Sequence, residues 1–329
     1  MTKLRRSAFA AIALALGSAY GLSATAQQPA DAYPSKPVKI IMPLGPGNSF
    51  EIALRPVAEK LGVALGQRFI IEAQPGAAGQ IGTERVARAP ADGYTLLAAN
   101  DGIMTMLPNL QKNIPYDTIR DFSPITNLVG IPFALIVHPS VPTKTAQELV
   151  ELAKARPGGL EFSSGGVGSA QQLAMELFMV LTGTKLTHIP YKGAPQAAMD
   201  VVSGHIPVAL AGVPIVAALI KEGKLRALGI ASDNRLPLLP DTPTLAEQGI
   251  PLKFATWGGL FAPTGTPPEI VHKLSQEAAA AVRAADVRAR MADFGLEAYG
   301  SSPEEFAETM KVDFAKIARV IRDAGIRAQ

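Results

Sequence analysis

The sequence predicts an α/β architecture with largely parallel sheets, and three observations predict it. From about Pro37 onward, short runs rich in β-branched and apolar residues alternate with segments whose apolar residues recur at helical spacing. Strands alternating with helices in this way build parallel sheets through crossover units. About 300 residues remain after an N-terminal leader, which is long for one core and comfortable for two lobes.

The leader is MTKLRRSAFAAIALALGSAYGLSATA. Lys3, Arg5 and Arg6 form a basic segment, Ala8 to Leu16 is apolar, and Ala24-Thr25-Ala26 supplies a small-x-small cleavage signal, so residues 1–26 read as a secretory signal peptide. A permanent membrane helix is the weaker reading, because the uncharged stretch is short, rich in small residues and followed by Gln27-Gln28. The chain has no cysteine, which excludes disulfides, thiol chemistry and lipid attachment at a mature N-terminal Cys. The mature protein is expected to be soluble outside the cytoplasm. Loss of the leader removes three of the 31 Lys+Arg and none of the 28 Asp+Glu, which takes the formal charge from +3 to zero. A balanced surface gives no electrostatic reason to expect nucleic acid or an anionic membrane as partner.

The strand-like runs are VKIIMPL (38–44), RFIIEA (68–73), YTLLAA (94–99), FALIVH (133–138), LEFSS (160–164), KLTHIP (185–190), HIPVALA (205–211), LRALGIA (225–231) and WGGLFAP (257–263). Between them, Leu54, Val57, Ala58, Leu61 and Leu65 share one helical face, and Ala170, Leu173, Ala174, Leu177, Phe178 and Leu181 share another. Thr145 with Glu148, Ser169 with Gln172 and Ser302 with Glu305 have capping-box spacing, and Pro303 suits a first helical position. Pro157-Gly158-Gly159 stops the helix of 145–156, and Asp92-Gly93-Tyr94 reads as a tight turn launching a strand. Pro56 lies past the first turn of a helix that begins at Ser49 or Phe50, so it predicts either a kink or a later start. No internal repeat or low-complexity linker divides the chain, so the crossings between lobes are expected within ordered segments.

Catalytic groups are not visible. His138, His188, His205 and His272 are isolated and have no cysteine partners, so no metal site is expected. There is no G-x-S-x-G elbow and no Walker lysine loop, and Gly166-Val167-Gly168 lacks the third glycine and the acidic residue of a dinucleotide loop. No catalytic residue and no cofactor are therefore expected. Binding groups are easier to find. Gly45-Pro46-Gly47-Asn48-Ser49-Phe50-Glu51 and Ser163-Ser164-Gly165-Gly166-Val167-Gly168-Ser169 each lead from a strand end into the first turn of a helix. Free N–H groups at a helix start carry positive partial charge and glycine admits close approach, so the pair reads either as structural turns or as a clamp on a small anion.

The residues also resemble a family. PSKPVKIIMPLGPG, IEAQPGAAGQIGTERVARAPADGYTLLAAN, PYDTIRDFSPIT, HPSVPTKTAQELVELAKARPGGLEFSSGGVGSAQQLAMELF, THIPYKGAPQAAMDVVSGHIPV, LLPDTPTLAEQGIP, WGGLFAPTGTPPEIVHKL and YGSSPEEF are similar, in this order, to segments of the substrate-binding proteins of tripartite tricarboxylate transporters, the Bug family of periplasmic receptors. The resemblance runs from about Pro34 to Gly325. It implies a type II periplasmic-binding-protein fold, with two α/β lobes, a ligand cleft between them and two crossover strands near 131–138 and 252–262. One lobe would be the discontinuous 27–130 plus 256–329, the other 131–255. The resemblance further implies that Gly47, Asn48, Ser49, Phe50 and Glu51, then Ser163, Ser164, Gly165, Gly168 and Ser169, then Tyr191, Lys192 and Gly193 contact the ligand, with a carboxylate held through backbone amides and bridging waters.

Several of these residues have a plainer alternative. Phe50 is a core plug or a ligand platform, and Glu51 complements the helix dipole or faces the ligand. Lys192 pairs with a ligand carboxylate or is solvated. Trp257 packs a hinge or stacks on ligand. Asn100 and Asp101 follow a strand end that would face the cleft, as candidates for ligand contact or as a simple turn, and Pro75-Gly76-Ala77-Ala78-Gly79 would begin a helix bordering it. Where the family commonly has a second glycine and an aspartate, this chain has Asn48, Ser49, Phe50 and Glu51, and Ala211-Gly212-Val213-Pro214 lacks a common cleft aspartate. Phe50 and Val213 are therefore expected to favour a carboxylate with an apolar or aromatic body over a hydroxylated one such as citrate. The expected function is that of a monomeric, non-enzymatic periplasmic receptor that captures a small organic carboxylate and delivers it to two integral membrane transporter subunits. A sensor that presents ligand to a signalling receptor is the alternative, and an enzyme on this fold is opposed by the missing triad and metal ligands.

Overall fold

Three apolar runs form one parallel set. In the computed structural model, which describes residues 33–46, 48–111, 113–191 and 193–323, β1 (Val38–Met42), β2 (Phe69–Ala73) and β3 (Thr95–Asn100) lie parallel, with Ile40 opposite both Ile71 and Leu96. A second parallel set is formed by β5 (Glu161–Ser164), β6 (Thr187–Pro190) and β7 (Val208–Gly212). The expected parallel pairing holds within each set, but two long strands join the sets antiparallel. These are β4 (Phe122–Val137) and β9 (Ala255–Pro263), and with β8 (Arg226–Ile230) and β10 (Glu297–Ala298) both pairing β4, the strand order is β2-β1-β3-β9-β4-β7-β5-β6. β4 pairs β9 from Phe122 to Pro132 and then β7 from Phe133 to Val137. Its first part was not among the strand-like runs. Pro124 and Pro132 oppose a ladder, and the sheet admits the segment through register shifts at Pro124/Thr126 and Asn127/Val129.

α1 (Ser49–Leu65) starts at Ser49 and continues through Pro56, with Leu54, Val57, Ala58 and Leu61 buried and Gly66 closing it in the left-handed conformation. α2 (Gln80–Ala87) follows the 75–79 glycine segment, and α3 (Leu107–Leu110) follows a π-helical turn, Gly102–Met106. Thr145, Ser169 and Ser302 accept the expected N-cap hydrogen bonds at α4 (Ala146–Ala155), α5 (Ala170–Thr182) and α10 (Pro303–Asp323). α6 (Ala194–Val202), α7 (Val213–Lys221), α8 (Pro268–Arg283) and α9 (Ala285–Asp293) complete the helices. None of the helices among the described residues is long and apolar enough to cross a membrane.

Alternation along β4 explains the layering. Phe133, Leu135 and Val137 enter one cluster with Phe162, Phe178 and Leu210, whereas Ala134 and Ile136 enter another with Ala209, Ala211 and Val213, so the sheet here is covered on both faces. A third cluster, with Leu97, Trp257, Phe261 and Phe306, lies at the first set of strands. Trp257 is 4 % exposed and meets Phe306 edge to face at 5.0 Å, so it packs the core at the start of β9. Pro34–Gln329 forms one unit; of the other, Met1–Tyr33, only Tyr33 is described, and the expected signal peptide lies outside the described residues.

Candidate functional site

The place where β4 exchanges one partner for another is also where a cavity opens. Ile131 pairs with Thr256 of β9, and two residues on Phe133 pairs with Gly212 of β7. All four residues line a cavity of about 470 Å³. Strand-order switch points of this kind are where α/β sheets hold ligands. The C-terminal ends of parallel strands supply its rim: Leu44 beyond β1, Asn100 and Asp101 at the end of β3, and Val167 to Gln171 beyond β5.

Two helix N-termini face this space, one from each parallel set. At α1, Asn48 caps by accepting the Glu51 N–H at 3.0 Å and donates its own amide to the Gly45 carbonyl at 2.6 Å. Its side chain is thereby committed to the turn. The N–H groups of Ser49 and Phe50, both cavity residues, have no acceptor among the described residues. At α5, Ser169 accepts the Gln172 N–H, and the Gln172 side chain accepts the Gly168 N–H at 2.7 Å. The Ala170 and Gln171 N–H groups are left in the same condition. Gly168 has φ of +76°, and a Cβ there would stand 2.4 Å from Leu110 Cδ1, so this loop touches α3 in a way only glycine permits.

The remaining wall is mainly apolar, with Met106, Leu107, Leu110, Ile131, Phe133 and Ile215 among its residues. None of the described lining residues is Lys, Arg or His. Phe50 packs as a core plug, its ring 2 % exposed and lying where a Cβ on Gly258 would be 2.3 Å away, and it also borders the cavity. Asp101 is buried at the rim. It accepts the Gly102 N–H at 2.8 Å, and burial, then the Asp313 carboxylate, push its carboxyl well above the usual range. Asn100 accepts the Ile103 N–H at 3.2 Å.

Other candidate residues lie away from the cavity wall. Glu51 is buried and paired with Arg55 on the next turn of α1. Ser163 donates to the Ala197 carbonyl at 3.0 Å, and Ser164 shares a 2.6 Å hydrogen bond with His188 Nε2, whose ring stacks on Phe162 and whose pKa burial lowers. Gly165 packs on the backbone of Gly193 and Ala194. The Tyr191 hydroxyl donates to Asp200, which raises its pKa to about 12. Gly193 is the N-cap of α6. Val213 is fully buried and points at Gly295, because it opens α7 on the core side of the sheet. Gly47 and Lys192 lie outside the described residues. Sequence reasoning did not select Leu107, Leu110, Ile131, Phe133, Ile215 or Thr256. The only local signal for the first two was their position within three turns of Asn100-Asp101.

A model of the tripartite tricarboxylate transporter family receptor matches residues 53–326. BugT of Bordetella pertussis (strain Tohama I) is 33% identical over 300 residues, covering 91% of this chain and 92% of its own length. An R. palustris protein solved with adipate has a TM-score of 0.79 and 31% identity, covering 90% of this chain and 99% of that one. MatC from Rhodopseudomonas palustris, solved with bound malate, has a TM-score of 0.74 and 28% identity, covering 88% and 100%. The fold shared with these structures is that of periplasmic binding proteins, with two lobes, a ligand cleft and two crossover strands.

Proposed function

The chain belongs to the tripartite tricarboxylate transporter receptor family, whose members are periplasmic solute-binding proteins and not enzymes, and from that premise we propose that it captures a small organic carboxylate with an apolar body and delivers it to a membrane transporter of two integral subunits. One observation carries the reading. The first turns of α1 and α5 present unpaired N–H groups to one cavity that has no cationic side chain among its described lining residues. A buried N–H left unpaired costs about 1–3 kcal/mol, and a carboxylate satisfies several at once.

The apolar wall selects the rest of the ligand. A buried methylene contributes about 0.8 kcal/mol, whereas a hydroxyl placed against Ile131, Phe133 or Ile215 loses water without a partner, at about 1–3 kcal/mol. The role assigned to Val213 in the sequence belongs, in this reading, to these residues, and Phe50 keeps its own. Adipate in one structural neighbour supports an apolar-bodied carboxylate, while malate in another supports carboxylate binding on the same fold with different selectivity. We assign the chain to the periplasm as a monomer, exported by residues 1–26, with 27–130 plus 256–329 closing on 131–255.

Thermal unfolding of the protein with adipate, benzoate, malate, citrate and the neutral diamide of adipate tests this. A ligand at about 100 times its Kd adds roughly 2.7 kcal/mol, a shift of several degrees. Adipate or benzoate should raise the midpoint, citrate should do so less, and the diamide should not. A panel in which no carboxylate acts, or in which citrate leads, counts against the reading. Uptake of the active ligand, abolished in cells lacking this chain, tests delivery.

A further inference from the structure

A second cavity, about 390 Å³, adjoins the first at Thr256, which lines both. Its other polar side chains include Asn127, Ser301, Glu305, Thr309 and Asp313. Asn127 is 5 % exposed, and its Oδ1 has no hydrogen-bond partner. Its backbone is held in place, the N–H donating to Ser301 Oγ at 3.0 Å and the carbonyl accepting from the Gly300 N–H at 2.9 Å. Neither Glu305 nor Asp313 pairs with a cationic side chain among the described residues.

Several donors bordering this space are already engaged. Trp257 Nε1 donates to Asp313 at 2.8 Å, the Tyr299 hydroxyl to Glu297 at 2.8 Å, and the Thr309 hydroxyl to the Glu305 carbonyl at 2.9 Å. The pocket thus brings together a buried orphan acceptor, the part-buried Asp313 carboxylate, the exposed Glu305 carboxylate, which also accepts the Ser302 N–H at 2.8 Å, and several hydroxyl oxygens. A buried acceptor without a partner, as at Asn127, is costly, and a cation beside the two carboxylates would satisfy it.

We propose that this pocket binds a hard cation, calcium or sodium, through Asn127 Oδ1, the carboxylates and the hydroxyl oxygens. The donor set is all oxygen, which disfavours the softer transition metals. No group of three or more His, Cys, Asp or Glu gathers among the described residues, so the site has few charges. That corresponds to the weak calcium sites of extracellular modules, with dissociation constants on the order of 0.1–1 mM.

The test titrates chelator-treated protein with calcium, magnesium or sodium chloride, choline chloride holding the ionic strength, and reads binding by calorimetry and the thermal midpoint. One saturable site per chain is expected for calcium or for sodium, and the two titrations identify which. Asn127→Ala should weaken it at least tenfold, and Asn127→Asp, which adds a charged oxygen, should tighten calcium binding. Midpoints in chelator establish that the variants fold; if Asn127→Ala does not, Asp313→Asn carries the same comparison. Absence of a saturable response to any ion, or a folded Asn127→Ala that binds as the natural chain does, overturns the proposal.

Discussion

Ala170→Pro removes one donor from the cleft while leaving the helix that carries it intact. Ala170 is the first residue of α5, and its N–H has no acceptor among the described residues. Proline suits this position because its fixed φ is helical and no intrahelical bond is lost. The residue before a proline must be extended, and Ser169 already is, at φ −68° and ψ 157°. Stability should change by no more than about 0.5 kcal/mol. Binding should change far more, since a hydrogen bond to a charged group contributes about 1.5–3 kcal/mol. At 1.4 kcal/mol per tenfold, affinity falls about 10- to 150-fold. Calorimetry with the carboxylate that gives the largest thermal shift measures this, and Ala170→Val separates added bulk from the lost donor. Ser49→Pro is the matching deletion at α1, where Asn48 lies at φ −75° and ψ 159°. An Ala170→Pro protein with natural stability and affinity within about twofold would refute the argument that the α5 terminus holds the ligand.

Gly168→Ala should destabilise by about 2–5 kcal/mol, from left-handed backbone and overpacking against Leu110, read as a lower urea midpoint. Adding Leu110→Ala should recover the overpacking share but not the backbone share. Asp101 binds its proton more tightly folded than unfolded, so the stability it contributes is fully present below its ordinary pKa of 3.8 and is lost as pH rises through its folded value. Asp101→Asn should remove that loss, giving urea midpoints between about pH 4 and 9, in chelator, that fall less steeply than those of the natural chain; parallel curves would exclude it. Thr145→Ala should cost about 1 kcal/mol, because it deletes the cap that accepts the Glu148 N–H at 3.1 Å, and chemical denaturation will show it.

Local chemistry was legible and long-range pairing was not. Thr145, Ser169 and Ser302 advertise their helix starts because a cap needs only residues within one turn. Val38–Met42 and Val208–Gly212 read as strands because apolar burial leaves continuous runs. The stretch from Phe122 to Pro132 carries Pro124, Asn127, Gly130 and Pro132, and becomes a strand only because β9, more than a hundred residues away, accepts its two register shifts. The cavity wall was hidden for a related reason. Ile131, Phe133 and Ile215 have the periodicity of core residues, and they border a cavity only because β4 changes partner between Pro132 and Phe133. Ser163, Ser164 and Tyr191 carry the polar groups that suggest ligand contact, yet their hydroxyls hold Ala197, His188 and Asp200, which the sequence does not reveal.

If the two halves close on the ligand as proposed, a site built from helix termini makes that closure depend on ligand length. α1 follows β1 in the set that pairs through β9, and α5 follows β5 in the set that pairs through β7, so the two groups of free N–H donors belong to different halves of the sheet. A ligand draws two halves together only if it binds the joined arrangement better than the separated one. One that satisfies Ser49 and Phe50 alone, or Ala170 and Gln171 alone, gains nothing from their approach and leaves the equilibrium where it was. A ligand whose polar ends reach both gains the second set only when the halves meet. The apolar wall then acts through reach as well as hydrophobicity, because it sets how far apart the two polar ends of a bound molecule must stand.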